Sequence, residues 1–190
     1  RNIMHRFVKP FIFLMLMLSL TACQKPLKPE ELPSSIQIGS DYYTQFVIRY
    51  EKGVHKTTNY RRGSSIPVNT KVKLLEITNK VIKVQIEPGA QVLEVRNAIK
   101  HTNDDTIKAF EKLFGKNKVN LSGFTKLERQ NIKEGTVAIG MRKKAVQVAI
   151  GYPPQIETMS LDSDQWTYWS SRWNRFIVHF KNGKVASIQD

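Results

Sequence analysis

An uncharged apolar run that ends on a lone cysteine sets the first limit on what this chain can become. Residues 10–22 carry no charge, follow the basic residues His5, Arg6 and Lys9, and lead directly to Cys23. A run of 13 residues is too short for a helix that crosses a bilayer, which needs roughly 20 apolar residues. The pattern predicts a cleaved secretion signal. Because Cys23 is the only cysteine, no disulfide within the chain can form and the fold must rest on packing.

The four residues at the end of the run, Leu20-Thr21-Ala22-Cys23, resemble a bacterial lipobox. The resemblance implies removal of residues 1–22 as a signal peptide, and a covalent diacylglycerol with an acyl chain on Cys23. In such lipoproteins an aspartate after the cysteine marks inner-membrane retention, and here Gln24 takes that place. The expected address is the periplasmic face of a Gram-negative outer membrane. The alternatives are an ordinary secretion signal with a coincidental cysteine and an N-terminal membrane anchor.

The charge balance restricts the class of partner. Arg1, Arg6 and Lys9 precede the cysteine, so the remaining chain keeps 27 of the 30 basic residues and all 16 acidic ones, a net charge of +11. A basic protein attracts anionic phospholipid or acidic protein surfaces. Outside the cytoplasm, nucleic acid is the least expected partner, and we predict that none is bound.

The next two segments differ in composition. Residues 23–35 contain Pro26, Pro29 and Pro33, which predicts an extended tether that holds the first folded unit clear of the membrane. Residues 36–100 alternate apolar and polar side chains between glycines and prolines, which predicts a small antiparallel β domain, either a barrel or a curled sheet. Within it, residues 61–72 resemble the loop and strand entry of SH3-like barrels in bacteria.

Residues 101–134 predict a helical connector. Asn103 is the expected cap of the first helix, with Asp104 and Asp105 in its first turn, where the helix dipole favours negative charge. Thr125 and Glu128 have the spacing of a capping box and open a second helix that ends before residue 135. The adjacent acids could instead suggest catalysis or a metal site, but their place in the helix already accounts for them.

Residues 135–190 predict a helix followed by three strands. Gly140-Met141 opens the helix, and an Asn182-Gly183 turn joins the last two strands. With the preceding helix, this makes a helix-helix unit covered by a three-stranded antiparallel meander. The whole chain is therefore predicted to be α+β.

This C-terminal pattern resembles the SmpA/OmlA (BamE-like) family of outer-membrane lipoproteins. The resemblance rests on the following residues: Gly140-Met141, Val146, Gly151-x-Pro153, Trp166-x-Tyr168, Val178-x-Phe180 and Gly183-Lys184-Val185. It implies a role beside the β-barrel assembly machinery of the outer membrane. Two features depart from the family pattern and weaken that implication, namely the cations Arg142-Lys143-Lys144 and the β-rich residues 36–100.

Three groups of side chains are candidate binding residues. Arg142, Lys143 and Lys144 start a helix where the dipole disfavours cations, so they form either an anion or partner site or a solvated charge run. The period of two places Trp166 and Tyr168 on one face of the predicted strand and Trp169 and Trp173 on the other. We expect Trp169 and Trp173 to face a partner or a lipid surface. Arg61 and Arg62, beside Tyr60, form either an anion contact or a solvated loop.

The residues indicate a binding protein and no enzyme. His55, His101 and His179 are dispersed, and neither a nucleophile constellation, a phosphate loop nor metal-ligand spacing is found. We therefore expect no metal and no cofactor beyond the lipid on Cys23. The predicted function is a non-catalytic outer-membrane lipoprotein that acts as an adaptor in envelope assembly by docking a protein partner. The alternative is a periplasmic lipoprotein that binds peptidoglycan or another ligand through residues 36–100.

Overall fold

The computed structural model describes residues 25–190, so Cys23 and the predicted signal peptide lie outside the described residues. The described chain is α+β, as predicted. After a short 3-10 turn at Pro29–Glu31 its elements are, in order, β1 (Asp41–Thr44), β2 (Ile48–Tyr50), β3 (Val54–Lys56), β4 (Ser64–Ile66), β5 (Lys71–Ile77), β6 (Val81–Ile86), β7 (Val92–Arg96), α1 (Ile99–Thr102), α2 (Thr106–Leu113), β8 (Phe114–Gly115), α3 (Lys126–Glu134), α4 (Lys143–Ile150), β9 (Gln165–Trp169), β10 (Arg175–Lys181) and β11 (Lys184–Gln189).

The first unit is a curled six-stranded half-barrel. Its strand order is β3-β7-β6-β5-β1-β8, and β2 and β4 pair separately beside it. Alternate residues of β5, β6 and β7 face inward, and Phe110 and Leu113 of α2 close the core against Tyr42. The antiparallel prediction holds for most pairs but fails for β3 and β7, which run parallel.

The second unit packs two helices on a three-stranded sheet. The order is β11-β10-β9, and the predicted Asn182-Gly183 turn is present, with positive φ at both residues (53° and 73°). Trp166 and Phe176 of the sheet lie fully buried with Ala145 of α4. The predicted order of helix, helix and antiparallel meander is thus found.

The helix starts are confirmed in one case and corrected in the other. Thr125 caps α3, and the capping box is complete: the Thr125 N–H donates to Glu128 Oε2 at 2.9 Å and the Glu128 N–H donates to Thr125 Oγ1 at 3.2 Å. Asn103 does not cap the following helix. It ends α1 in the left-handed conformation, and Asp105 caps α2 by accepting the Lys108 N–H.

The predicted tether is bound to the first unit at two points, around Leu27 and at Leu32. The Leu27 N–H donates to Ile77 O at 2.8 Å, and Pro26 bridges to Thr78. The side chains of Leu27 and Leu32 pack on the core that contains buried Ile36. A leucine on each side of the 3-10 turn thus holds to the sheet a segment whose prolines alone suggested free extension.

The two units share a packed seam. Phe46 projects from the first unit against Tyr152, with ring centroids 6.3 Å apart, and the Val47 N–H donates to Val148 O. Tyr60 also extends from the first unit into the second, where it is buried among residues of the second core. Within residues 25–190, no helix has both the length and the apolar character that crossing a bilayer requires.

A glycine at this seam gives a test of the packing. Gly151 has φ of +88°, and an added Cβ would lie 2.8 Å from Phe46 Cε2. We expect Gly151→Ala to lower the free energy of unfolding by about 2 kcal/mol, through backbone strain and displacement of Phe46. Chemical denaturation measures this change.

The matched control is Gly123→Ala, where an added Cβ meets no atom within 4 Å and φ lies outside the positive range. This control should change the unfolding free energy by no more than about 0.5 kcal/mol in either direction. Equal effects of the two substitutions would contradict the packing described for Phe46.

Candidate functional site

The four large aromatics of the β9 region divide as their alternation predicts. Trp166 and Tyr168 are fully buried in the second core. Trp169, on the other face of β9, is half-buried. Trp173 lies in the turn after the strand, and its side chain is 78% exposed.

The turn that carries Trp173 is held by its own hydrogen bonds. The Ser170 N–H donates to Asn174 O at 3.0 Å, and Ser171 Oγ accepts the backbone N–H groups of Trp173 and Asn174 at 3.2 and 3.1 Å. The Arg172 guanidinium lies 4.8 Å from the Trp173 ring centroid. The exposed indole is therefore presented on a fixed backbone beside a cation.

A second layer supports this turn. The Arg175 guanidinium lies 3.5 Å from the Trp169 ring centroid and donates through Nε to Glu157 at 2.8 Å. The His101 ring meets Trp169 edge-on with centroids 4.6 Å apart. We name the group of His101, Trp169, Arg172, Trp173 and Arg175 the tryptophan corner.

Two nitrogens within the tryptophan corner are enclosed without a partner. Trp169 Nε1 and His101 Nδ1 are shielded from solvent and have no hydrogen-bond partner among the described residues. A buried polar nitrogen that lacks a partner costs free energy, so the two rings hold their positions through packing and cation contact.

Arg142, predicted as part of a cation site, is used inside the fold. Its guanidinium donates to both carboxylate oxygens of Glu128, at 2.8 Å to Oε1 and 2.5 Å to Oε2, and also to Gly123 O. The Glu128 side chain is only 1% exposed. Hydrogen bonding to Arg142 holds the pKa of Glu128 at about 2, and the same contact raises the pKa of Arg142.

The two neighbouring lysines differ from each other. Lys143 Nζ donates to Asp162 O at 2.7 Å and lies 3.6 Å from an oxygen of Asp164. Lys144 is exposed and forms no ion pair with any of residues 25–190. The predicted three-cation anion site is therefore not assembled, because two of its three members already have partners that the local sequence did not indicate.

Arg61 and Arg62 are likewise paired within the chain. Arg61 forms an ion pair with Asp190 and lies 3.6 Å from the Phe176 ring centroid, while Arg62 lies 3.3 Å from Glu51. Tyr60 is buried and offers no platform to the arginines. Both arginines lie exposed in a bend, as the solvated-loop interpretation expects, and each has an acidic partner within the chain in place of a free anion contact.

The seam holds a small, partly open pocket with a mostly apolar lining that the sequence did not reveal. Its volume is about 30 Å³, room for roughly two waters, and its polar lining residues include His55, Thr102 and Asp104. His55 donates through Nδ1 to Arg49 O at 2.7 Å, since a carbonyl can only accept. Burial lowers the pKa of His55 to about 4, which leaves the ring neutral near pH 7.

The histidines and acids do not gather into a metal centre within residues 25–190, where no group of three such side chains is placed to bind an ion. His55 lies at the seam and His101 in the tryptophan corner, whereas His179 lies on β10. The prediction that no metal is bound remains a prediction.

The Glu128–Arg142 pair predicts how stability depends on pH. The carboxyl has a pKa of about 2 in the folded chain against an ordinary value of 4.5, so the pair stabilises the fold above pH 4.5 and loses its effect as pH falls toward 2. We expect the pair to contribute about 3 kcal/mol near neutral pH, of which about 2 kcal/mol is gone near pH 3. Urea unfolding at the two pH values measures the loss.

The variant Glu128→Gln should be less stable near neutral pH and should lose less stability on acidification. Glu134→Gln, which removes an exposed carboxylate of the same helix, is the control and should keep the wild-type pH dependence. If both variants show the wild-type slope, Glu128 is not the group responsible.

No protein-family model, curated protein or solved structure matches this chain. The resemblance to the SmpA/OmlA family therefore rests on the sequence motifs alone. The function has to be inferred from those motifs and from the surfaces described above.

Proposed function

We propose that this protein is a non-catalytic lipoprotein of the Gram-negative outer membrane that docks an envelope protein through its tryptophan corner. The observation that carries the proposal is Trp173, an indole that is 78% exposed on a hydrogen-bonded turn. Tryptophan is one of the residue types that most often carry the binding energy of a protein interface.

The surroundings of Trp173 define the partner. An indole is rigid, so its burial in a pocket of the partner costs little conformational entropy. Arg172 lies beside it without an ion-pair partner among the described residues, and the chain from Cys23 onward has a net charge of +11. The partner that fits is a protein with an apolar pocket edged by carboxylates.

The membrane address and the partner class come from the sequence. The lipobox at residues 20–23 supports acylation of Cys23, and the SmpA/OmlA resemblance supports a partner in the β-barrel assembly machinery. A lipid-anchored adaptor needs no catalytic group, in agreement with the dispersed histidines.

Affinity capture tests the docking surface. Trp173→Ala should reduce co-purification of β-barrel assembly proteins from crosslinked envelope membranes by at least about tenfold, as loss of an interface hot spot of roughly 2 kcal/mol does. Thermal unfolding should be unchanged, because the side chain is exposed.

The matched control is Met159→Ala, which truncates another apolar side chain, 89% exposed, outside the tryptophan corner. Capture by this variant should equal that of the wild type. Undiminished capture by Trp173→Ala, or retention of the protein on isolated cell wall in place of assembly proteins, would overturn the docking proposal. Mass spectrometry of the mature N-terminus tests the anchor, and an unmodified Cys23 would overturn it.

A further inference from the structure

The chain is fastened to the sheet immediately after the predicted anchor. Pro26 bridges to Thr78, and the Leu27 N–H donates to Ile77 O. Cys23 precedes Pro26 by three residues, and three residues of fully extended chain span only about 11 Å. An acyl group on Cys23 would therefore bring the β5–β6 end of the sheet close to the bilayer surface.

We propose that this end of the sheet lies on the membrane and binds the headgroups of anionic phospholipid. The proposal rests on the proposed function only through the acylation of Cys23. The surface proposed here is remote in sequence from Trp173. In place of the expected 23–35 tether, a short connection fixes which face of the protein meets the lipid.

The chemistry of this end favours an anionic surface. Five cations gather there, which we name the basic corner: Lys25, Lys56, Lys80, Lys83 and Arg96. They are neighbours because Lys25 directly precedes Pro26 and Lys80 occupies the β5–β6 turn. In the sheet, Arg96 pairs with Val81 on one side and with Lys56 on the other.

Only part of this charge is neutralised. Glu76 lies 3.1 Å from Lys83, and Glu94 lies 2.6 Å from Arg96. The other three cations of the basic corner, all exposed, form no ion pair within residues 25–190: Lys25, Lys56 and Lys80. Three positive charges thus remain available on the surface that the short connection draws toward the lipid.

The shape of the surface also suits a headgroup. An open hollow of about 600 Å³ lies in the basic corner, lined by Glu76, Thr78, Lys80, Val81, Lys83, Glu94, Arg96 and Asn97. Because the connection is about as long as the screening length of roughly 8 to 10 Å at physiological salt, the lysines stay within electrostatic reach of the headgroups.

Proximity quenching tests the proposal on the full acylated chain. The thiol of Cys23 is consumed by its lipid, so Asn79→Cys, at an exposed position of the β5–β6 turn, and Lys181→Cys each provide one thiol for a fluorophore. The proteins are reconstituted in vesicles of phosphatidylethanolamine and phosphatidylglycerol that contain a lipid with a nitroxide on its headgroup. We expect quenching of the label at position 79 and its absence at position 181, on the C-terminal hairpin.

Charge variants identify the lipid chemistry. The triple variant Lys25→Gln, Lys56→Gln and Lys80→Gln should lose the part of the quenching that depends on phosphatidylglycerol, because each lysine near an anionic surface contributes roughly fivefold to its occupancy. The matched control neutralises Lys108, Lys144 and Lys181, which makes the same change of net charge elsewhere. The label at position 79 should be quenched in this control as it is without the charge changes.

The outcomes separate this proposal from the previous one. Equal quenching at positions 79 and 181, an unquenched label at position 79, or equal effects of the two triple variants would overturn the membrane contact while leaving partner capture through Trp173 intact. Undiminished capture by Trp173→Ala together with the expected quenching pattern would overturn the docking proposal alone. An unacylated Cys23 would overturn both the anchor and the membrane contact.

Discussion

The structure depends on Tyr60, which belongs to the first unit in sequence and to the second in packing. Its hydroxyl donates to Tyr152 O at 2.9 Å, and its ring meets Tyr168 edge-on with centroids 4.8 Å apart. Burial raises the pKa of Tyr60 well above its ordinary value, so the hydroxyl remains a donor near neutral pH. In a chain without disulfides, two small cores gain stability by sharing such a side chain. The seam therefore positions both the tryptophan corner and the pocket beside His55.

The features that could be predicted are those whose partners lie close in sequence. The capping box of Thr125 and Glu128 spans three residues, and the Asn182-Gly183 turn needs only its own backbone preference. The parallel pairing of β3 with β7 and the bond from Leu27 to Ile77 join residues far apart in the chain. Nothing in the local pattern specifies such pairings, so the composition of residues 23–35 suggested a free tether although its leucines bind it to the core.

The candidate site shows the same division. Alternation along β9 correctly placed Trp166 and Trp169 on opposite faces, since a strand turns its side chains with a period of two. How far Trp169 is covered depends on Arg175 and on His101, which belongs to a different element. The run Arg142-Lys143-Lys144 suggested either an anion site or a solvated charge run. The sequence shows where the charges are but not which distant acid pairs with them. Glu128 lies 14 residues away and meets Arg142 only through the packing of α3 on α4.

The cations of the chain fall into those that form ion pairs with acids and those that do not. Arg142 and Arg175 of the second unit are bound to acids, whereas Lys144, Arg172 and three lysines of the basic corner have no ion pair among the described residues. The two proposed surfaces are joined by a short segment: α1 begins three residues after Arg96, and its His101 packs on Trp169. If the basic corner lies on the lipid, α1 holds the tryptophan corner at a fixed place relative to the bilayer. The short connection and the seam would then keep Trp173 at a constant distance from the bilayer. A constant distance suits a partner that is itself embedded in the outer membrane.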